Sequence, residues 1–317
     1  MFVRLCALAV LSLLAVGCQR PADAPAPAGA GTRPAETVRL LAARLRANDA
    51  AGFARLALPP ALHARVAAGW RDGRSRWPLD ELPLDAQLPT LLATLSADGA
   101  ETRLLAGFDR QFARSGRELQ QAAHSLGLFG VEYLGQDASY SEEERAHYRQ
   151  GLTALAQWGV AAPLADRARA RATLVRLASA ARRTGIDGAD DFARLGMEDS
   201  LRRLGPFLGA AKDAFARYGL DLDASLDSVE ATLLEQTGET ARVRLRYRLG
   251  AEPIDAVLVL QRIDGRWYLR DHLAHAEASL AADAPAEPGV ESPPASAGWW
   301  PLRSAPRLAW RTRTPLR

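Results

Sequence analysis

Apolar residues recur at helical spacing through most of this chain and switch to strict alternation near its end. Ala35–Ala47 is the first clear helix, with Val38, Leu41, Ala42 and Leu45 on one side and Pro34 placed for its first turn. Asn48-Asp49 breaks it, and a short second helix carries Phe53 and Leu56 up to Pro59-Pro60. Residues 60–220 read as almost wholly helical. Within them Glu101–Leu126 reads as one long segment, with Leu105, Phe108, Phe112, Leu119, Ala123 and Leu126 in a single stripe. Later helices are marked by Tyr148, Leu152, Leu155 and Trp158, by Leu174, Leu177 and Ala181, and by Leu204, Leu208, Phe215 and Tyr218. Breaks fall at 72–78, 82–89, 135–141, 183–191 and 219–223, where Gly, Pro and Asp cluster.

From Ser228 the period becomes two. Ala241–Leu249 places Val243, Leu245, Tyr247 and Leu249 on one face and Arg242, Arg244, Arg246 and Arg248 on the other. With Ser228–Gln236, Ile254–Ile263 and Arg266–Arg270 this predicts a four-stranded antiparallel meander, its last turn being Asp264-Gly265. Matching apolar faces sets the register. A three-residue loop at Thr237–Glu239 puts Leu233 opposite Val243, Ala231 opposite Leu245, Val229 opposite Tyr247 and Glu230 opposite Arg246. A four-residue loop at Gly250–Pro253 puts Tyr247 opposite Ala256, Leu245 opposite Leu258 and Asp255 opposite Arg248. The sheet then has one apolar face for helices to cover, and His272–Leu280 closes the fold as a helix. The expected class is α+β, predominantly helical, with the meander packed on helices.

The N-terminus changes the picture most. Met1–Arg4 is a short basic start, and Leu5–Gly17 is an apolar run of 13 residues. A bilayer span needs about 20, so residues 1–17 read as a signal peptide. Ala15-Val16-Gly17-Cys18 resembles the bacterial lipobox, in which the cysteine sulfur takes up diacylglycerol and becomes the new N-terminus. Small residues at 15 and 17 also suit ordinary signal peptidase. Cys6 leaves with the leader, so Cys18 is the only cysteine of the mature chain. Internal disulfides are thereby excluded, and a lone exposed thiol in an oxidising compartment favours acylation. Gln19 in place of Asp points, by resemblance to enterobacterial sorting, to the outer membrane facing the periplasm. Residues 18–34, ending "RPADAPAPAGAGTRP", read as the lipidated cysteine and a flexible tether.

Charge adds little. The net charge is +3, but Arg4 lies in the leader, and the last 27 residues carry Arg303, Arg307, Arg311, Arg313 and Arg317 against Glu291 alone. The body keeps 34 basic and 36 acidic residues, which gives no reason to expect nucleic acid. Lys212 is the only lysine. Residues 282–317 are Pro/Ala-rich and read as a disordered tail, whose Trp and Arg could also touch anionic lipid.

"ETVRLLAARLRANDAAGFARL" and, far downstream, "ARVRLRYRLGAEPIDAVLVLQRIDGRWYLRD" resemble the cystatin-like (nuclear transport factor two-like) fold of small bacterial lipoproteins. The resemblance covers under a quarter of the chain. It implies N-terminal helices at 35–58 packing on a meander and closing helix at 223–281. Residues 59–222 are then a helical insertion. A curved sheet wrapped on helices, with a pocket, would follow; fold alone would not give an activity.

Candidate chemistry is sparse. The ladder Arg242, Arg244, Arg246 and Arg248 is a possible binding face for carboxylate, phosphate or an acidic partner; its plainer reading is a solvent face with cross-strand charge pairs. His272 and His275, beside Asp271 and Glu277, have helical spacing for a shared metal but lack a third ligand. Glu144 and His147 form one Glu-x-x-His without the second copy that a di-iron bundle needs. Asp221, Asp223 and Asp227 lack the Gly and final Glu of a calcium loop. Trp267 shares the apolar sheet face with Leu269, and Trp70, Trp77 and Trp158 read as packing anchors. No nucleophile elbow, zincin motif, phosphate loop or dinucleotide fingerprint is present, and a periplasm without ATP disfavours a kinase. The sequence therefore predicts no catalytic residues, no metal and no cofactor. It predicts a non-catalytic interaction module held on the membrane through Cys18, with an envelope protein, a toxin or a cell-wall component as partner. The alternative is a ligand-binding or enzymatic module with a pocket between sheet and insertion.

Overall fold

A computed structural model gives the fold and describes residues 30–82, 85–136 and 140–281. The leader, Cys18, most of the tether and the tail lie outside the described residues. The architecture is α+β, with eleven α-helices among the described residues followed and closed around one antiparallel sheet of strand order β1-β2-β3-β4. The first three helices are α1 (Pro34–Arg46), α2 (Ala50–Ala57) and α3 (Pro60–Arg71). Two short 3₁₀ turns at Leu79–Glu81 and Asp85–Gln87 lead to α4 (Leu88–Ser96), α5 (Ala100–Gln111), α6 (Gly116–Gln136) and α7 (Glu142–Ala161). Then come α8 (Arg167–Thr184), α9 (Ala189–Arg217) and α10 (Leu222–Asp227). The sheet comprises β1 (Glu230–Thr237), β2 (Thr240–Leu249), β3 (Glu252–Ile263) and β4 (Arg266–Leu269), and α11 (Arg270–Ala281) ends the described chain.

Local chemistry sets the helix ends. Pro34 and Pro60 open α1 and α3, where a missing N–H costs nothing. Asn48, at φ 57°, turns the chain so that Asp49 can cap α2 by accepting from the Gly52 N–H at 2.8 Å. The exposed carbonyls at the end of α1 are met by Lys212, whose Nζ donates to Leu45 O at 3.1 Å and Arg46 O at 3.0 Å and pairs with Asp223. Arg46 pairs with Asp223 and Asp227, and Asp221 caps α10. The aspartates before the sheet thus join α1, α9 and α10. Gly196, at φ 73° and ψ 177°, interrupts α9.

The segment Glu101–Leu126 is not one helix. Phe112 leaves the helical region and the chain turns through 112–115 before α6 begins at Gly116. Its stripe is only partly covered, since Phe112 is 41% and Leu126 43% exposed. The reason is packing. α6 faces α7 with its small residues: a Cβ on Gly127 would overlap Ala156, and one on Gly130 would lie 3.1 Å from Leu152 Cδ1. Close backbone approach, and not the large-residue stripe, decides which side faces inward.

In the sheet, Leu233 faces Val243, Ala231 faces Leu245 and Glu230 faces Arg246, as the apolar matching requires. The turn differs. Thr237 pairs with Thr240 across a two-residue turn, and a bulge between Leu233 and Glu235 restores the phase. Between β2 and β3 the loop is also two residues, so Tyr247 faces Ile254 and Leu245 faces Ala256. The offset of two keeps every side chain on its face but moves Asp255 from Arg248 to Arg246. Pro253, expected in the loop, is accommodated in β3 because it shares orientation with Asp255, whose N–H and C=O point away from β2, so no ladder bond is lost. Asp264 (φ 50°) and Gly265 (φ 77°) form the expected tight turn.

One apolar cluster joins the sheet to the helices. Ala241, Val243, Leu245, Leu260 and Trp267 pack in it with Val38 and Leu41 of α1, Val66 and Trp70 of α3, and Phe192, Leu201 and Leu204 of α9. Each such aliphatic side chain contributes about 1.5–3 kcal/mol on burial. Trp70 Nε1 donates to Trp77 O at 2.8 Å, folding loop 72–77 back on α3. Trp158, half-buried, donates to Tyr218 O at 2.8 Å. The tryptophans 70, 77 and 267 are buried packing groups.

Two single side chains cover the open sheet edges. Arg39 donates to Ala231 O on β1 at 2.8 Å. Gln150 of α7 lies along β3 beyond the end of β4, donating to Asp255 O and accepting from Asp255 N, both at 2.9 Å. Such cover prevents edge-to-edge pairing. Gln150→Ala is expected to destabilise the protein by about 1–2 kcal/mol and to raise its tendency to aggregate. Urea unfolding and light scattering check this, and an unchanged midpoint would contradict it.

Candidate functional site

The arginine ladder is exposed, as its alternation predicts, but its charges are met from within the chain. Arg244 forms a two-pronged pair with Asp255 (2.8 and 2.5 Å), and Arg246 reaches the same carboxylate at 3.3 Å. Arg242 meets Glu143 of α7 at 3.1 Å, and Arg248 donates to Ala251 O at 2.6 Å. The bond from Arg244 is the main reason that the Asp255 carboxyl lies below its ordinary range. The arrangement is cross-strand charge compensation.

A second cluster gathers where the turn 79–81, the start of α7 and α11 meet. Ser141 and Glu144 form a capping box at the α7 N-terminus: Ser141 N donates to Glu144 Oε2 at 3.0 Å, and Glu144 N donates to Ser141 Oγ at 3.2 Å. The other Glu144 oxygen lies 3.4 Å from His275 Nε2, and His275 Nδ1 lies 2.9 Å from Glu81 Oε2. An imidazole with a carboxylate at each nitrogen is held as the cation. The Glu81 bond, followed by the charges of Glu81, Glu144 and Asp271, raises its pKa to about 9 against the cost of burial. Burial in turn pushes the Glu144 and Asp271 carboxyls above their ordinary range. The rings of Tyr140 and Tyr148 meet edge-on at 5.4 Å, and Tyr140 meets His275 at 6.0 Å. Burial raises Tyr148, with Glu144 adding to the effect.

The two pairs singled out by spacing separate. His272 does not join His275 but packs against the rings of Phe53 (5.5 Å) and Trp77 (6.1 Å), where burial lowers its pKa to about 4. Glu277 turns away to Arg65. Glu144 goes to His275, while His147 Nε2 lies 2.9 Å from the Tyr247 hydroxyl on the sheet. Among the described residues no group of three His, Cys, Asp or Glu is placed to hold a metal ion.

Residues the sequence did not single out are as informative. Burial pushes Asp80 up to about 7, and its Oδ1, Trp77 Nε1 and His272 Nδ1 are buried without a hydrogen-bond partner. Asp80 and Glu81 sit in a loop without periodicity, so nothing in the sequence marked them. The Ser141-x-x-Glu144 spacing is the signal that could have located the start of α7. Chemically, His275 has both nitrogens committed and no open position for a reacting atom, so it acts as a structural cation joining three elements.

Replacement of Asp255 tests the compensation on the ladder. Its depressed pKa contributes stability that is present above the unfolded value near 3.8 and is lost as pH falls through the folded one. Asp255→Asn should therefore lower stability at pH 7, by no more than about 1 kcal/mol for so exposed a pair. It should also flatten the decline below pH 4. Urea midpoints across pH 3–7 measure this; identical profiles would contradict it.

Comparison with protein-family models, curated proteins and solved structures finds no match to this chain.

Proposed function

We propose that this chain is an exported lipoprotein, acylated at Cys18, that holds a non-catalytic interaction module at the outer membrane on its periplasmic side. Its partner is an envelope protein, a toxin or a cell-wall component. The observation that carries the reading is the lipobox-like Ala15-Val16-Gly17-Cys18 behind a 13-residue apolar run, set close before a folded body. Ala30 is already buried, and its carbonyl accepts from Arg266 at 2.7 Å. Gly31 O accepts from Trp267 N at 3.2 Å. Twelve residue steps separate Cys18 from Ala30, a reach of at most ~40 Å. The module would therefore work close to the bilayer. A triacylated cysteine anchors stably, since each buried CH₂ contributes about 0.8 kcal/mol.

The interaction role is supported by how the ionisable groups are spent. His275 is clamped by two carboxylates, His147 meets a phenol, and the arginine ladder is tied to Asp255, Glu143 and a backbone carbonyl. The ladder enters this proposal as a solvent face. The resemblance to the cystatin-like fold belongs to the same proposal, with the meander and α1 as its matching parts.

Radiolabelled palmitate should enter the wild-type protein and not Cys18→Ser, and only the wild type should sediment with outer membranes. Equal labelling of both would overturn the anchor. A soluble wild-type protein would overturn the location.

A further inference from the structure

α11 is the last described element, and its docking rests on polar latches more than on apolar burial. Among its residues only Ala276 is fully buried, with Leu273 and Leu280 partly covered. Toward α3, Glu277 takes a two-pronged bond from Arg65 (2.6 and 2.7 Å), and Ser279 bonds Ser75 at 2.8 Å. Toward the turn 79–81 and α7, His275 reaches Glu81 and Glu144. Beneath its first turn, His272 lies on Phe53 and Trp77. A helix held this way opens at lower free energy than a helix of the core.

We propose that α11 is a proton-controlled clasp: the charged His275 imidazole, gripped by Glu81 and Glu144, keeps the helix docked, and loss of that charge releases α11 while the core stays folded. Release would uncover the Phe53 and Trp77 rings on which His272 lies, together with Glu81, Glu144 and Ser75, whose partners leave with the helix. The opened face would thus be apolar with a few polar groups, as binding sites commonly are.

All the charges around the clasp bear on its direction. The turn supplies Asp80 and Glu81, α7 supplies Glu143 and Glu144 with the Tyr148 phenol, and the neighbouring loop supplies Tyr140. α3 supplies Arg65, and α11 itself carries Arg270, Asp271, His272 and Glu277. His275 is raised on docking, so its contribution is fully present below the free value of 6.5 and is lost as pH rises through about 9. His272 works oppositely, because it must be neutral to lie against the rings; its penalty grows as pH falls from 6.5 toward about 4. The raised carboxyls of Glu144 and Asp271 take up protons on docking and offset that acid penalty. The alkaline side is therefore where the clasp opens.

Hydrogen exchange of the full chain, read peptide by peptide and corrected for intrinsic rates, tests this. The opening constant of 270–281 should rise between pH 6.5 and 9.5 by up to about tenfold per unit, while α1 and α9 amides stay protected. His275→Gln should leave α11 open, without the rise between pH 6.5 and 9.5. His275→Lys, which keeps a charge, should extend protection above pH 9. The proposal fails if α11 protection follows that of α9 at every pH, or if His275→Gln shows the wild-type profile. This outcome is independent of acylation at Cys18.

Discussion

The apolar face of the sheet is the constraint from which the rest of the fold follows. Ala241, Val243, Leu245 and Tyr247 alternate with four arginines along β2, so one side must be dry and the other must be wet. α1 crosses the dry side: Val38 and Leu41 are buried there, and Thr37 Oγ1 bonds Trp267 O at 3.3 Å. Beyond α1 the same apolar cluster runs on through residues far away in sequence, among them Trp70, Phe192 and Leu201. Sheet and helices therefore share one apolar cluster, and neither buries its own face alone.

Polar groups do a different job in this molecule, which is to join elements at its margins. Lys212 ends α1, Arg39 and Gln150 cover the open strand edges, and His275 joins α11 to a turn and to α7. Individually each is modest in energy, yet each closes a place where backbone or charge would otherwise be exposed to the wrong partner. α11 depends on such joins more than the core elements do, which makes it the natural moving part.

What could be read from the sequence was periodic. The alternation in β2 gave both sheet faces, and Asp264-Gly265 gave the last hairpin. The β1–β2 register was legible because a shift would have put Leu233 and Ala231 against arginines. The bulge that achieves it was not, since a bulge and a longer loop have the same effect on side-chain phase. Likewise an error of two residues between β2 and β3 leaves faces unchanged, so apolar matching could not detect it. The Glu101–Leu126 stripe misled because α6 packs by its glycines, which carry no hydrophobic signal. Of the clasp, His275 and Glu144 lay in view, though with other partners expected, whereas Glu81 sits in a short turn and meets His275 across 194 residues.

The central claim is that the sheet face and the helical body form one core. The direct measurement is urea unfolding of Val243→Ala, followed by helical circular dichroism at 222 nm. Val243 is fully buried in the sheet, so a shared core predicts that the whole helical transition moves to lower urea, by about 2 kcal/mol. A helical transition that stays at the wild-type midpoint while the sheet melts separately would contradict the account.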